Sequence, residues 1–371
     1  MNKLFREMTG LLEMGESFVV ATIFDKSGSA PRTAGTKMVV RPDGSILGTI
    51  GGGRLEAAAI KLAQEAMGSR RTMLQSFDLT GEDVAGMDMI CGGKGEILLD
   101  YIDAGDENNR IIAEQIVKTL DRREKAWLIT VLNNNGTDSY LSRQQCLVKA
   151  DGILVGKVDA DPYLLAKLIT GPAKISIHAE VLANQRILVE PVRYGGIVYI
   201  FGAGHVSQKI APLAETVGFK TVVLDDRDEY ANRKRFTGPT EIILLAAYER
   251  LPELAVDEDS YIVIVTRGHL YDKTVLEQVL RTRAGYIGMI GSRRKRDKIF
   301  EALLAQGWTR QDLDRVYSPI GMAIDAETPE ELAVSIVGEL IKVRAERENG
   351  AKKENNGSDT CCRLFVPDGE I

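Results

Sequence analysis

The chain has 371 residues, 44% hydrophobic and 27% charged, a globular composition too long for one ordinary core, so two or three domains are expected. A net charge of −6 and a pI near 5.4 leave no electrostatic footprint for nucleic acid, and no apolar run reaches the length of a membrane span. Four cysteines (Cys91, Cys146, Cys361 and Cys362) are too few for a disulfide framework, which points to reduced thiols and a cytoplasmic setting.

Lys3 to Met14 carries acids among its apolar positions and reads as an amphipathic helix, not a signal peptide. Strand Ser17 to Phe24 follows. The loop from Asp25 to Lys37 then combines glycine, small hydroxyl residues, Pro31 and the basic residues Lys26, Arg32 and Lys37. Strands Met38 to Arg41 and Ser45 to Ile50 flank Pro42-Asp43-Gly44 as a hairpin. Gly51-Gly52-Gly53 and Arg54 next open a helix that runs to about Met67. A strand entering a glycine turn at a helix start presents backbone N–H groups to an anion, and Arg54 adds a two-pronged donor at the rim. The plainer reading is that triple glycine permits a sharp reversal.

Strand Arg71 to Leu79 leads into the polar loop Thr80 to Asp88, and Cys91-Gly92-Gly93 precedes strand Ile97 to Ile102. The two glycines strip bulk from around the Cys91 thiol and leave it open to a metal, a sulfur donor or a ligand. Cys146, inside the strand Gln145 to Lys149, reads as an inert core residue. Helices Asn108 to Arg122 and Tyr163 to Ile169, and strands Trp127 to Leu132 and Ile187 to Pro191, carry no recognisable chemistry and read as scaffold or a dimerisation layer. Pro191 to Gly196 is the natural linker.

Ile197 to Phe201 is a short β-branched run, the pattern of a buried strand. It breaks at Gly202-Ala203-Gly204 and passes into Val206, Ile210, Leu213 and Val217 at helical spacing, closed by Gly218. Thr221 to Leu224 is a second buried strand with Asp225 at its tip. This is the layout of a dinucleotide-binding unit: Gly202 for the tight turn, Gly204 for close approach of a phosphate, Asp225 to accept from ribose hydroxyls. Ser207 stands where a third glycine would, and His205 follows the second directly, so the pattern predicts the fold more firmly than its ligand.

Further buried runs at Ile242 to Ala246, Tyr261 to Val265 and Tyr286 to Ile290 extend the parallel pattern. Ligands gather at the C-terminal ends of such strands, where Thr266-Arg267-Gly268-His269 and the basic stretch Gly291-Ser292-Arg293-Arg294-Lys295 lie, and both suit a phosphate-bearing ligand or an acidic partner. Arg293 to Arg296 equally fits a solvated helix face, and His269 a hydrogen-bonded loop residue. Thr328-Pro329-Glu330-Glu331 is a capping box opening a long closing helix. Glu346 to Asp359 is a disordered tether by composition, and Cys361-Cys362 reads as an incidental extension or as a pair that binds a soft metal or exchanges thiols. The expected organisation is an N-terminal α+β domain (1–102), a middle α+β segment packed with it (103–194), a Rossmann-like doubly wound parallel sheet (195–347) and a disordered tail (348–371).

In this order, Gly28-Ser29-Ala30-Pro31-Arg32, Gly48-Thr49-Ile50-Gly51-Gly52-Gly53 with Leu55-Glu56, and Cys91-Gly92-Gly93 resemble motifs of the XdhC/CoxI family. So do Phe201-Gly202-Ala203-Gly204-His205-Val206, Thr266-Arg267-Gly268-His269, Gly288-Met289-Ile290-Gly291-Ser292 and Ser318-Pro319-Ile320-Gly321. The resemblance spans about residues 8 to 345 and leaves out the tail. It implies an accessory factor, typically dimeric and more chaperone than enzyme, for maturation of xanthine dehydrogenase and related molybdenum hydroxylases. Such a factor binds molybdenum cofactor, as molybdopterin or its dinucleotide form, protects it during sulfuration by a cysteine desulfurase, and helps insert it into the apo-hydroxylase. Arg32, Arg54 and Gly51 to Gly53 are then candidates for the phosphate, and Cys91 with Gly92 and Gly93 for the metal or its sulfur. Gly202, Gly204, His205 and Asp225 are the candidates for NAD(P) or another nucleotide. Alternative readings are an NAD(P)-dependent oxidoreductase, for which His178, His205 and His269 offer no positioned acid–base pair, and a Rossmann-like domain that serves assembly alone.

Overall fold

In the computed structural model the described residues are 2–28, 33–78, 93–134, 140–169, 175–182 and 185–354. They form two compact units, one built on residues 1–194 and the other on 195–349. Among the described residues no helix is long and apolar enough to cross a membrane.

The first unit runs α1 (Asn2–Glu13), β1 (Phe18–Gly28), β2 (Lys37–Val40), β3 (Ile46–Gly48), α2 (Gly53–Ser69), β4 (Thr72–Asp78) and β5 (Gly93–Ile102). It continues with α3 (Glu107–Asp121), β6 (Ala126–Asn134), β7 (Tyr140–Lys149), β8 (Leu154–Lys157), α4 (Pro162–Ile169), β9 (Ser176–Leu182) and β10 (Gln185–Val192). Its strands make one antiparallel sheet in the order β3-β2-β1-β5-β4-β7-β6-β10-β9, with β8 on β7. The seam between its halves is the short β4–β7 pairing, Thr72 with Leu141 and Met73 with Tyr140. Both faces of β1 are covered, which explains its continuous apolar run. Val19, Ala21 and Ile23 pack with Leu55, Ala59 and Ala63 of α2, while Phe18 and Val20 pack with Leu11 and Leu12 of α1. The strand continues past the expected end at Phe24, because Asp25 to Gly28 pair with Glu96 to Gly93 of β5 after a bulge.

The second unit runs β11 (Ile197–Phe201), α5 (His205–Thr216), β12 (Lys220–Asp225), β13 (Glu241–Leu244), β14 (Ser260–Ile264) and α6 (His269–Val279). Then come β15 (Tyr286–Met289), α7 (Arg293–Ala305), α8 (Arg310–Asp314), β16 (Val316–Tyr317) and α9 (Pro329–Glu354). Every strand pair is parallel, in the order β13-β12-β11-β14-β15-β16, so the expected Rossmann-like sheet is present. The order reverses between β11 and β14, the switch point where such sheets open a crevice. β11, β14 and β15 are buried along their whole length, and Ile210, Ala211 and Ala214 of α5 close one face with Ile336, Val337 and Leu340 of α9. The α9 start has both arms of its capping box: Glu331 N–H donates to Thr328 Oγ1 at 3.2 Å, and Thr328 N–H to Glu331 Oε2 at 3.0 Å.

Candidate functional site

The switch-point loop is built from the backbone upward. Gly202 has φ of 107°, and a Cβ there would come within 2.4 Å of Val265 O at the end of β14, so the two strand ends approach only because no side chain intervenes. Ser207, fully buried, donates its hydroxyl to Gly202 O at 2.5 Å, so the serine at the third small position ties the first turn of α5 to the loop. Gly204 is the N-cap of α5 and Gly268 that of α6; neither offers a side chain to the first-turn N–H groups. His205 and His269 are the exposed first residues of these two helices.

Asp225 is fully buried beneath this loop. Its Oδ2 accepts from Ala203 N–H at 2.7 Å and Arg227 Nη2 at 3.0 Å, and its Oδ1 from Arg227 N at 3.1 Å and Nε at 2.9 Å. Burial alone would raise its pKa, but the Arg227 guanidinium and the Ala203 N–H outweigh that and hold the carboxyl below the usual aspartate range. The acid that the sequence places for a ribose is thus engaged with the glycine loop itself. The Arg227 and Arg235 guanidinium carbons lie over the Tyr230 ring at 3.8 and 4.9 Å. Arg235 also donates to Gln208 Oε1 of α5 at 2.8 Å and to Ala203 O at 3.4 Å. Asp226 forms a two-pronged pair with Arg267 at 2.6 and 2.8 Å, and Arg267 Nη2 donates to Tyr271 Oη at 3.0 Å.

A second knot lies at the ends of β14 and β15. Fully buried Asp272 accepts the Thr266 hydroxyl at 2.6 Å and pairs with Lys295, whose ammonium also reaches Ile290 O at 3.2 Å. Lys295 therefore leaves the exposed basic stretch and fastens α7 to α6. Arg296 binds Asp297 and Ser318 O, and Arg293 and Arg294 remain exposed.

In the first unit, Gly51, Gly52 and Gly53 have φ of 131°, 74° and 64°. Their turn already holds an anion. Glu56, one turn into α2, reaches back so that its Oε2 accepts from Thr49 Oγ1 at 2.5 Å, Ile50 N at 3.1 Å and Gly52 N at 3.2 Å. The Thr49 hydroxyl, and after it the turn's N–H groups, hold this carboxyl below the usual glutamate range. Glu56→Ala is expected to cost about 1 kcal/mol, as loss of a helix cap does, with faster amide exchange at Ile50 and Gly52 as the local readout. Arg54 is exposed. Arg32, Cys91 and Gly92 lie outside the described residues, and Gly93 opens β5 paired with Gly28. Cys146 is fully buried and its thiol is pushed up to about 12 by desolvation, which removes it as a nucleophile or soft ligand. Among the described residues no group of three or more His, Cys, Asp or Glu side chains is arranged to hold a metal ion.

One polar cluster escaped the sequence reading. Between α1, α3 and the sheet lies a cavity of about 40 Å³, bordered by Lys37, Asp100, Asn109, Arg143, Gln145 and Glu190 among apolar walls. Lys37 pairs with Glu190 at 2.9 Å and donates to Thr22 Oγ1 at 2.9 Å. Arg143 Nε lies 2.9 and 3.1 Å from the two Asp100 oxygens, while its Nη1 and Nη2 donate to Asn109 and Gln145 at 2.6 Å each. Two cations face two anions, and the space suits a few ordered waters. Arg143 and Gln145 sit in the polar stretch Ser142 to Gln145, while Asp100 and Glu190 stand among apolar neighbours in other strands; α1 and α3, laid over that face, bury them together.

Comparison with known proteins places both units. Residues 11–78 match the XdhC and CoxI family, and residues 198–340 match the XdhC Rossmann domain. Among curated proteins, the chain is 24% identical over 350 residues to the uncharacterized protein YqeB of Escherichia coli K12, covering 94% of this chain but only 47% of that relative's length. It is 25% identical over 339 residues to a probable xanthine dehydrogenase subunit of Bacillus subtilis (91% and 96% coverage). It is 23% identical over 339 residues to the molybdenum cofactor insertion chaperone PaoD of Escherichia coli K12 (91% and 86%). The fold is shared with a crystal structure from Bacillus halodurans described as a xanthine dehydrogenase, with a TM-score of 0.78, 23% identity, and coverage of 98% of this chain and 99% of that one. The two family matches fall in chain order, one on each unit: the chain belongs to the XdhC and CoxI family.

Proposed function

We propose that this protein is a maturation factor that carries molybdenum cofactor to a hydroxylase of the xanthine dehydrogenase type. The observation that carries this reading is the match over 91% of the chain to a protein named as a molybdenum cofactor insertion chaperone. The chemistry of the glycine turns supports a holding role more than a proton-transfer role. Glu56 and Asp225, the carboxylates at the two turns, are both kept ionised by hydrogen bonds that organise the backbone around them. The cofactor is cargo. Arg32, Arg54 and the Gly51–Gly53 turn would receive its phosphate, with Glu56 yielding the Ile50 and Gly52 N–H groups, and Cys91 beside Gly92 and Gly93 would face the metal or its terminal sulfur. In this reading the protein acts as a cytoplasmic homodimer and holds the cofactor while a cysteine desulfurase sulfurates it.

A second reading, an NAD(P)-dependent oxidoreductase, draws on the parallel sheet and the Gly202–Gly204 loop. It requires a ribose to share Asp225 with Ala203 and Arg227, so the maturation reading is preferred. The test is reconstitution: apo-hydroxylase is incubated with isolated molybdenum cofactor, with this protein or with an equal mass of serum albumin. The maturation reading predicts more hydroxylase activity with the protein present. Equal recovery would count against it.

A further inference from the structure

β12 and β14 flank β11 in the sheet, so at a strand spacing of about 4.8 Å their tips stand nearly 10 Å apart with the end of β11 between them. Asp226 directly follows β12, and Arg267 lies just beyond β14. Their side chains nevertheless meet in a two-pronged pair at 2.6 and 2.8 Å. The pair therefore crosses over the point where β11 enters Gly202-Ala203-Gly204. It is only partly sheltered, with side-chain exposures of 33% for Arg267 and 17% for Asp226, so water and solutes reach it.

We propose that Asp226 and Arg267 form a strap across the mouth of the glycine loop, and that a diphosphate-bearing ligand enters by taking Arg267 from Asp226. The guanidinium fork fits a phosphate as well as it fits a carboxylate, so the exchange keeps two charge-assisted hydrogen bonds and trades one anion for another. A second, independent observation points to the same ligand chemistry. Arg235, bonded to Ala203 O of the loop and to the neutral Gln208, forms no ion pair with a carboxylate among the described residues, and its Nε is a buried donor without an acceptor. A buried unsatisfied donor beside an uncompensated charge favours an anion. Arg227 is not available for this role, because Asp225 engages it from below. Tyr271 holds Arg267 from the α6 side and keeps the fork at the mouth when Asp226 lets go. Because Asp225 stays on Ala203 and Arg227, the site reads the diphosphate and not the ribose diol.

Inorganic pyrophosphate contains neither molybdenum nor pterin and probes the strap independently of what the protein carries. The full chain is titrated calorimetrically with pyrophosphate at low ionic strength. Asp226→Asn frees Arg267 and is expected to tighten binding about tenfold, the effect of one charge-assisted contact. Arg267→Ala is expected to weaken it by at least a similar factor, with Arg267→Lys between, since it keeps the charge and loses the fork. Both positions are partly exposed, and thermal melts confirm that the variants fold. Binding seen only in Asp226→Asn would also support the strap. Equal affinity in wild type, Asp226→Asn and Arg267→Ala would overturn it, as would no binding in any of them. A negative result leaves the maturation reading where it stands, since the reconstitution assay does not use pyrophosphate.

Discussion

Asp225→Ala is expected to destabilise the second unit by about 3–5 kcal/mol, the cost of removing one partner from a buried ion pair, and to lower its melting point by about 10 °C. The change leaves the Arg227 fork without its anion and the Ala203 N–H without an acceptor beneath a loop that already depends on Gly202. The same carboxylate makes the unit acid-sensitive, with a definite sign. Its pKa is depressed on folding, so its contribution is complete above the ordinary aspartate value of about 3.9 and is lost as pH falls through the lower folded value. Wild-type stability therefore drops with acid below about pH 4, and Asp225→Asn flattens that limb. Amide exchange in β11 and β12, followed against pH, reads the effect locally. An unchanged acid limb in Asp225→Asn would show that other carboxylates set it.

Arg143→Leu is the counterpart in the first unit. Arg143 pairs with Asp100, which also accepts the Thr72 hydroxyl at 3.0 Å, and donates to the side-chain carbonyls of Asn109 and Gln145, all three nearly buried, so its loss is expected to cost about 3–5 kcal/mol. Adding Asp100→Leu should recover part of that, because much of the penalty lies in the buried carboxylate left without its cation and not in the lost attraction. Denaturant unfolding of the two variants provides the check. A double variant no more stable than Arg143→Leu would mean that Asn109 and Gln145, not Asp100, carry the cost.

The second unit was largely legible from the chain because its information is local. The run Ile197 to Phe201 is a strand buried on both faces, and Ile210 and its neighbours keep helical spacing through α5. The first unit was harder to read because its sheet is antiparallel and its pairings are distant. Asp25 to Gly28 are too polar to announce a strand, and become one only because β5 lies alongside. β9 goes unmarked for a related reason, being held to the sheet by β10. At the sites, residue types were readable but their engagements were not. Glu56 in the first turn of a helix reads as an ordinary favourable charge, and only the fold shows it turned back onto Ile50 and Gly52. Asp225 sits where a ribose acceptor belongs. The signal for its other use was Arg227 two residues on, near enough to claim both oxygens. Asp272 was missed because its cation Lys295 comes from another helix, although its other partner, Thr266, lies just upstream of the same helix.

The most direct measurement is anaerobic titration of the purified protein with molybdenum cofactor, followed by gel filtration and assay of molybdenum and pterin in the protein peak. Both are expected to co-elute with the chain in stoichiometric amount, and Cys91→Ala is expected to reduce their retention. Protein that elutes free of molybdenum and pterin would contradict the maturation reading.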